Sequence, residues 1–206
     1  MTTRITVRAG ILVFLMLTIS SAGAQQFPFE FWHEGKVVLE TQDTLKGKLK
    51  YDPQNDLIQL ERNGRFETFT SRKAVSYEIF DQGLNNYRQF YALPYSANGG
   101  YKTPVFFELL TEGKLTLLSR ETLEYRNTST GYFYGSVTRL VLVYKYFLLD
   151  EDGGITAVVG DKNDFLAMMD SREEEVRKYI KANRLNLERR PDIVRAIAYY
   201  NSLFRR

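Results

Sequence analysis

Between positions 36 and 159 the chain is a succession of short runs in which Val, Ile, Leu, Tyr and Phe alternate with polar residues, each run closed by Gly, Asn, Asp or Pro. Period-2 alternation puts every second side chain on one face of an extended backbone, so these runs read as strands with one face buried. Ten are expected, at 36–40, 45–51, 57–62, 65–70, 75–80, 89–93, 105–111, 115–121, 138–149 and 154–159. Their connections are mostly short, which favours antiparallel order over crossover units. Asn63-Gly64 supplies two residues that tolerate positive φ, as a tight hairpin turn requires. Glu112-Gly113 and Asp150-Glu151-Asp152-Gly153-Gly154 mark two further hairpins, and 95–103 and 127–135 read as loops.

After Gly160 the period lengthens. Asp161 is placed to cap a helix carrying Phe165, Met168 and Met169, and Ser171 with Glu174 has the spacing of a capping box before Val176, Tyr179 and Ile180. A helix or broken helix to about Asn183 is expected. A last helix follows Arg190, with Pro191 in its first turn and Ile193, Ile197, Tyr200 and Phe204 as its buried stripe. The fold class is therefore α+β: a mainly antiparallel β meander, as sheet, sandwich or partly open barrel, followed by two C-terminal helices.

Residues 1–24 carry the pattern of an export signal. Arg4 and Arg8 precede an apolar stretch around Ile11 to Leu17, which ends at Ala22-Gly23-Ala24. That stretch falls short of the roughly 20 apolar residues that span a bilayer, so cleavage is expected and no span remains afterwards. The organisation is a signal peptide at 1–24, a β-rich domain at 25–160 and a helical segment at 161–206 packed on it. The expected location is exported: periplasm, cell envelope or extracellular.

The 206 residues include no cysteine, which removes thiol catalysis and thiolate metal sites, while 14 Tyr and 14 Phe supply ample apolar area for a core without cross-links. Charge is unevenly placed. From Gln25 to Ser171 there are 16 Lys and Arg against 20 Asp and Glu, whereas Arg172 to Arg206 has 10 against 5, so an acidic front precedes a basic end. Such an end can bind an anionic surface, with Arg184, Arg189 and Arg190 the candidates, or can attract the acidic front of its own chain. No nucleic-acid module is recognisable, and no nucleic-acid partner is expected.

No catalytic signature is present and the catalytic residues are unknown. His33, the single histidine, cannot build a multi-histidine metal site, and without a Gly-x-Ser-x-Gly elbow a triad around it has no support; it reads as a partly exposed aromatic contact. Asp150 to Asp161 lacks the glycine and the glutamate of a calcium loop, and Asp52-Pro53-Gln54-Asn55-Asp56 reads as a turn. No metal and no cofactor are expected. Glu108 with Glu121 or Glu124 can face each other across a hairpin, as paired carboxylates of a hydrolase do. Tyr125, Tyr132, Phe133 and Tyr134 form an aromatic group suited to stacking on a sugar or peptide.

Gly35-Lys36-Val37-Val38-Leu39, followed by Asp43-Thr44-Leu45-Lys46-Gly47-Lys48-Leu49, resembles the first hairpin of small exported β-rich proteins from Bacteroidetes-type bacteria. Tyr179-Ile180-Lys181 and Tyr199-Tyr200-Asn201 are similar to that group as well. The resemblance implies an envelope or secreted location and carries over no active-site residue. The expected function is that of an exported, non-enzymatic protein that binds an envelope protein, glycan or anionic surface, or has a structural role. The alternative is an envelope hydrolase acting on glycan or peptide through paired carboxylates.

Overall fold

The computed structural model describes residues 26–97, 99–129 and 136–204, with side chains left out at 128, 129, 136 and 137. The leader at 1–24 and the aromatic run Tyr132-Phe133-Tyr134 lie outside the described residues. Ten strands run in chain order: β1 His33–Leu39, β2 Thr44–Asp52, β3 Leu57–Arg62, β4 Arg65–Thr70, β5 Ala74–Asp81, β6 Asn86–Tyr95, β7 Thr103–Thr111, β8 Thr116–Ser129, β9 Ser136–Leu149 and β10 Ile155–Ala157. Three α-helices follow, α1 Lys162–Ala167, α2 Glu173–Ala182 and α3 Arg190–Ser202. The fold is α+β, and all ten expected strands are present in one antiparallel sheet of order β10-β9-β8-β7-β6-β5-β1-β2-β3-β4.

That order forces the sheet to curl. β4 and β5 are separated in the ladder by β1, β2 and β3, yet only Ser71, Arg72 and Lys73 connect them. Four ladder steps on a flat sheet span about 19 Å, while the three-residue link reaches roughly 15 Å at most. Strands β1 to β4 therefore roll back toward β5 to β7. Gly35 and Gly47, opposite each other on β1 and β2, make room for the roll. A Cβ on Gly35 would stand 2.1 Å from the Glu78 carbonyl oxygen, and one on Gly47 would stand 2.4 Å from that of Glu61. Inside the roll Val37, Leu49, Tyr51, Ile58, Leu60, Tyr77, Ile79, Phe90 and Phe106 form one apolar cluster.

Turn chemistry closes the hairpins as the sequence indicates. Asn63 and Gly64 both have positive φ, 54° and 73°, and the Gly64 amide donates to the Glu61 carboxylate at 3.0 Å. Asp150 accepts from the amides of Asp152 and Gly154, which fixes the β9–β10 turn.

The helices cover the same sheet face farther along. Phe165, Leu166, Met169, Val176, Ile180, Ile193, Ile197 and Tyr200 bury against Leu117, Tyr146 and Leu148. Asp161 caps α1 as expected, accepting from the amides of Asn163 and Asp164. The expected Ser171–Glu174 capping box does not form: Ser171 sits in a 3-10 turn, Asp170–Arg172, and α2 starts uncapped at Glu173. Glu173, Glu174 and Glu175 stabilise the positive end of its dipole instead. Phe204 ends the stripe of α3 at the surface, 36% exposed, under the cations of Lys114 and Arg172. Among the described residues no helix is long and apolar enough to cross a membrane.

The segment expected as a loop from 127 to 135 is strand at its near end. β8 continues to Ser129 and β9 begins at Ser136, because polar Asn127, Thr128 and Ser129 pair by backbone with Thr138, Val137 and Ser136.

Candidate functional site

Inward phase on the strands brings four charged side chains, Asp81, Arg88, Glu108 and Glu121, together on the rolled face. On β6, Arg88 shares its phase with Phe90; on β7, Glu108 shares that of Phe106; on β8, Glu121 and Ser119 share that of Leu117. Arg88 is the centre. Its Nε and Nη2 donate to the two Glu108 oxygens, each at 2.8 Å, Nη2 also meets Glu121 at 2.5 Å, and Nη1 reaches Asp81 at 3.3 Å and the Tyr51 hydroxyl at 3.0 Å. The Tyr51 hydroxyl in turn donates to Glu121 at 2.8 Å. From α3, Arg190 clamps Glu108 through both terminal nitrogens, at 2.8 Å on Oε2 and closely on Oε1.

Arg88, Glu108 and Glu121 have side chains only 2% exposed. Burial alone would push the Glu108 carboxyl up, but hydrogen bonds and attraction from Arg88, then Arg190, outweigh it and hold the group below the ordinary glutamate range. Burial raises the Tyr51 phenol, against the pull of Arg88, so Tyr51 stays protonated. The Arg88 guanidinium is stabilised despite burial by Glu108, and it lies 5.0 Å from the Phe90 ring. A general acid needs a raised carboxyl pKa and an open face toward substrate. Glu108 has neither, since both of its oxygens are engaged by two arginines and the Ser119 hydroxyl.

The cavity beside this network, lined by Tyr51, Asp56, Tyr77, Phe106, Ser119 and Glu121, measures about 20 Å³, room for one water. A second depression of about 120 Å³ on the outer face of β1, β5 and β6 is lined by Lys36, Ser76, Glu78, Gln89 and Tyr91. Ligand pockets start near 300 Å³.

The other carboxylates raised by the sequence go elsewhere. Asp52 closes its own turn on Gln54 and Asn55, and Glu124 pairs with Lys145 at 3.2 Å on the opposite face of β8. His33 is buried, not partly exposed, with its ring nitrogens 2.8 Å from the Pro28 carbonyl and 3.3 Å from that of Phe80. Curling of the sheet drew it inward. Of the three arginines considered for anion binding, Arg190 is occupied by Glu108, while Arg184 and Arg189 are exposed. Among the described residues no group of three or more His, Asp or Glu is gathered to hold a metal.

What remains open is the ribbon of β8 and β9. β7 pairs with β8 only from Leu117 to Ser119; beyond that, Asp56 enters the fork, accepting from the Phe106 amide at 2.8 Å and from Arg120 at 3.0 Å. From Arg120 to Ser129 the ladder partner of β8 is β9 alone, and from Ser136 to Lys145 the partner of β9 is β8 alone. Leu123, Leu140 and Leu142 on one face are only half-buried, and Tyr125 beside them is 78% exposed. No family model, curated protein or solved structure matches the chain.

Proposed function

We propose that this is an exported, non-enzymatic protein of the envelope or the secreted fraction, which binds a partner or builds a larger structure through its β8–β9 ribbon. One observation carries the reading: the internal charges are matched within the body, whereas a ten-residue ribbon keeps apolar side chains half-covered and both backbone edges without a ladder neighbour. Two strands without a third are marginally stable in water, and an exposed edge recruits another strand. Tyr125 supplies the kind of ring that anchors interfaces. The hydrolase reading loses ground because its best carboxylates, Glu108 and Glu121, are bound to Arg88 beside a cavity the size of one water. Export rests on the leader pattern at 1–24 and on the resemblance of the first hairpin to exported proteins.

A photo-crosslinking residue at Tyr125 in the native host tests this. The expected result is a discrete adduct in the exported fraction, with none from the same probe at Gln89 on the far side of the sheet. Recovery of the intact, leader-bearing chain from cytosol, or absence of any adduct from the ribbon, would overturn it.

A further inference from the structure

We infer that the ribbon's partner is a second copy of this chain, joined antiparallel along the outer edge of β8 with Tyr125 on the two-fold axis. The inference rests on the partner-binding reading and names the partner. Antiparallel self-pairing centred on Tyr125 sets residue 124 of each copy opposite residue 126 of the other. In this sequence that places Glu124 opposite Arg126 twice, on one face, while the two Tyr125 rings meet on the other. Glu124 and Arg126 are accessible for this, with side chains 38% and 60% exposed; within one chain their mutual contact is loose at 3.8 Å, and Glu124 meets Lys145 through its other oxygen at 3.2 Å.

The alternative edges fit less well. β9 offers Arg139 and Lys145 from Thr138 to Lys145 with no acid among them, so self-pairing there gathers cations only. β4 also has a self-complementary triplet, Arg65-Phe66-Glu67, but the strand is six residues long and its Phe66 ring already packs on Trp32 at 5.8 Å. β8 presents a longer free edge, from Arg120 to Ser129, and joining two copies there gives each ribbon the third and fourth strands it lacks. The half-buried Leu123 and Leu142 then lie on one continuous face across both copies.

Charge exchange tests this on the full exported chain by sedimentation equilibrium. Wild type is expected to be a dimer at micromolar concentration. E124R and R126E each set two like-charge pairs across the axis and should weaken dimerisation by roughly 100-fold, with melting temperatures that report whether each remains folded. Mixing the two folded variants restores both pairs, so a heterodimer is expected, and the double variant E124R/R126E should dimerise with itself. A monomeric wild type, a dimer indifferent to both single changes, or folded single variants that fail to associate when mixed would each overturn the proposal. A monomer whose ribbon still crosslinks to another protein in the host overturns self-pairing alone and leaves the partner-binding reading standing.

Discussion

Arg190, the first residue of α3, closes on Glu108 of β7 across 82 positions of sequence. The contact couples the basic end of the chain to its acidic front, and it lands on the one carboxylate that Arg88 already holds with two nitrogens. The helical segment is thus tied to the sheet by charge as well as by the apolar stripe of Ile193, Ala196, Ile197 and Tyr200.

Removing Glu108 should cost more than removing Arg190. E108A leaves Arg88 buried with Glu121, the neutral Tyr51 hydroxyl and the more distant Asp81, and losing one partner of a buried pair costs about 3–5 kcal/mol, a fall in melting temperature on the order of 10 °C. R190A leaves Glu108 with Arg88 and should cost about 2 kcal/mol. Thermal unfolding of the two variants checks the ranking; equal losses would mean that Arg190, not Arg88, is the principal partner.

Titration should act at both ends of the pH scale. Because Glu108 is held below the ordinary range, its contribution is complete above the unfolded value of about 4.3 and is lost as pH falls through the lower folded value. The stability gap between wild type and E108Q should therefore narrow below about pH 4. Burial raises the Tyr51 and Tyr77 phenols, so their contribution is complete below about pH 10 and declines as pH rises toward the folded values. Y77F should show a shallower alkaline loss than wild type in denaturant midpoints measured from neutral pH upward.

Much of this architecture is legible in the sequence. Alternation marks all ten strands, Asn63-Gly64 sets its turn, and Asp161 and Pro191 mark helix starts. The network is legible in part: Glu108 with Glu121 or Glu124 stand out as carboxylates able to face each other across a hairpin, and the structure gathers Glu108 and Glu121, whereas Arg88 carries no motif although it shares the inward phase of Phe90. An inward arginine on an otherwise apolar face signals a buried ion pair. The roll of the sheet was hidden because it depends on β5 returning to β1, a pairing that local pattern does not encode. Residues 127–129 misled for a related reason: Asn, Thr and Ser favour turns in isolation, yet backbone pairing to β9 overrides that preference.

The roll should be sensitive to a single methyl group. G35A places a Cβ against the Glu78 carbonyl and G47A against that of Glu61, and both contacts are backbone that cannot step aside as a side-chain tip does. Each should destabilise by about 1–3 kcal/mol, read as a lower urea midpoint with an unchanged slope. Gly64→Ala is the control for turn strain alone, since nothing lies within 4 Å of a Cβ there.

Deleting residues 189–206 removes Ile193, Ala196, Ile197 and Tyr200 from the second apolar cluster, together with Asn201, which bonds the Leu115 amide at 3.0 Å and its carbonyl at 2.8 Å. The truncated chain should melt well below wild type and expose Leu117 and Tyr146 to hydrophobic dyes. An unchanged melting temperature would refute the packing described for α3.

The Arg190–Glu108 clamp also sets an order of events in time. β7 precedes α3 in the chain, so until α3 docks on the sheet Glu108 faces Arg88 with a single guanidinium where the docked molecule has two. Charge balance at the centre of the sheet therefore waits on α3, and a chain cut before Arg190 keeps a looser interior than one that carries it.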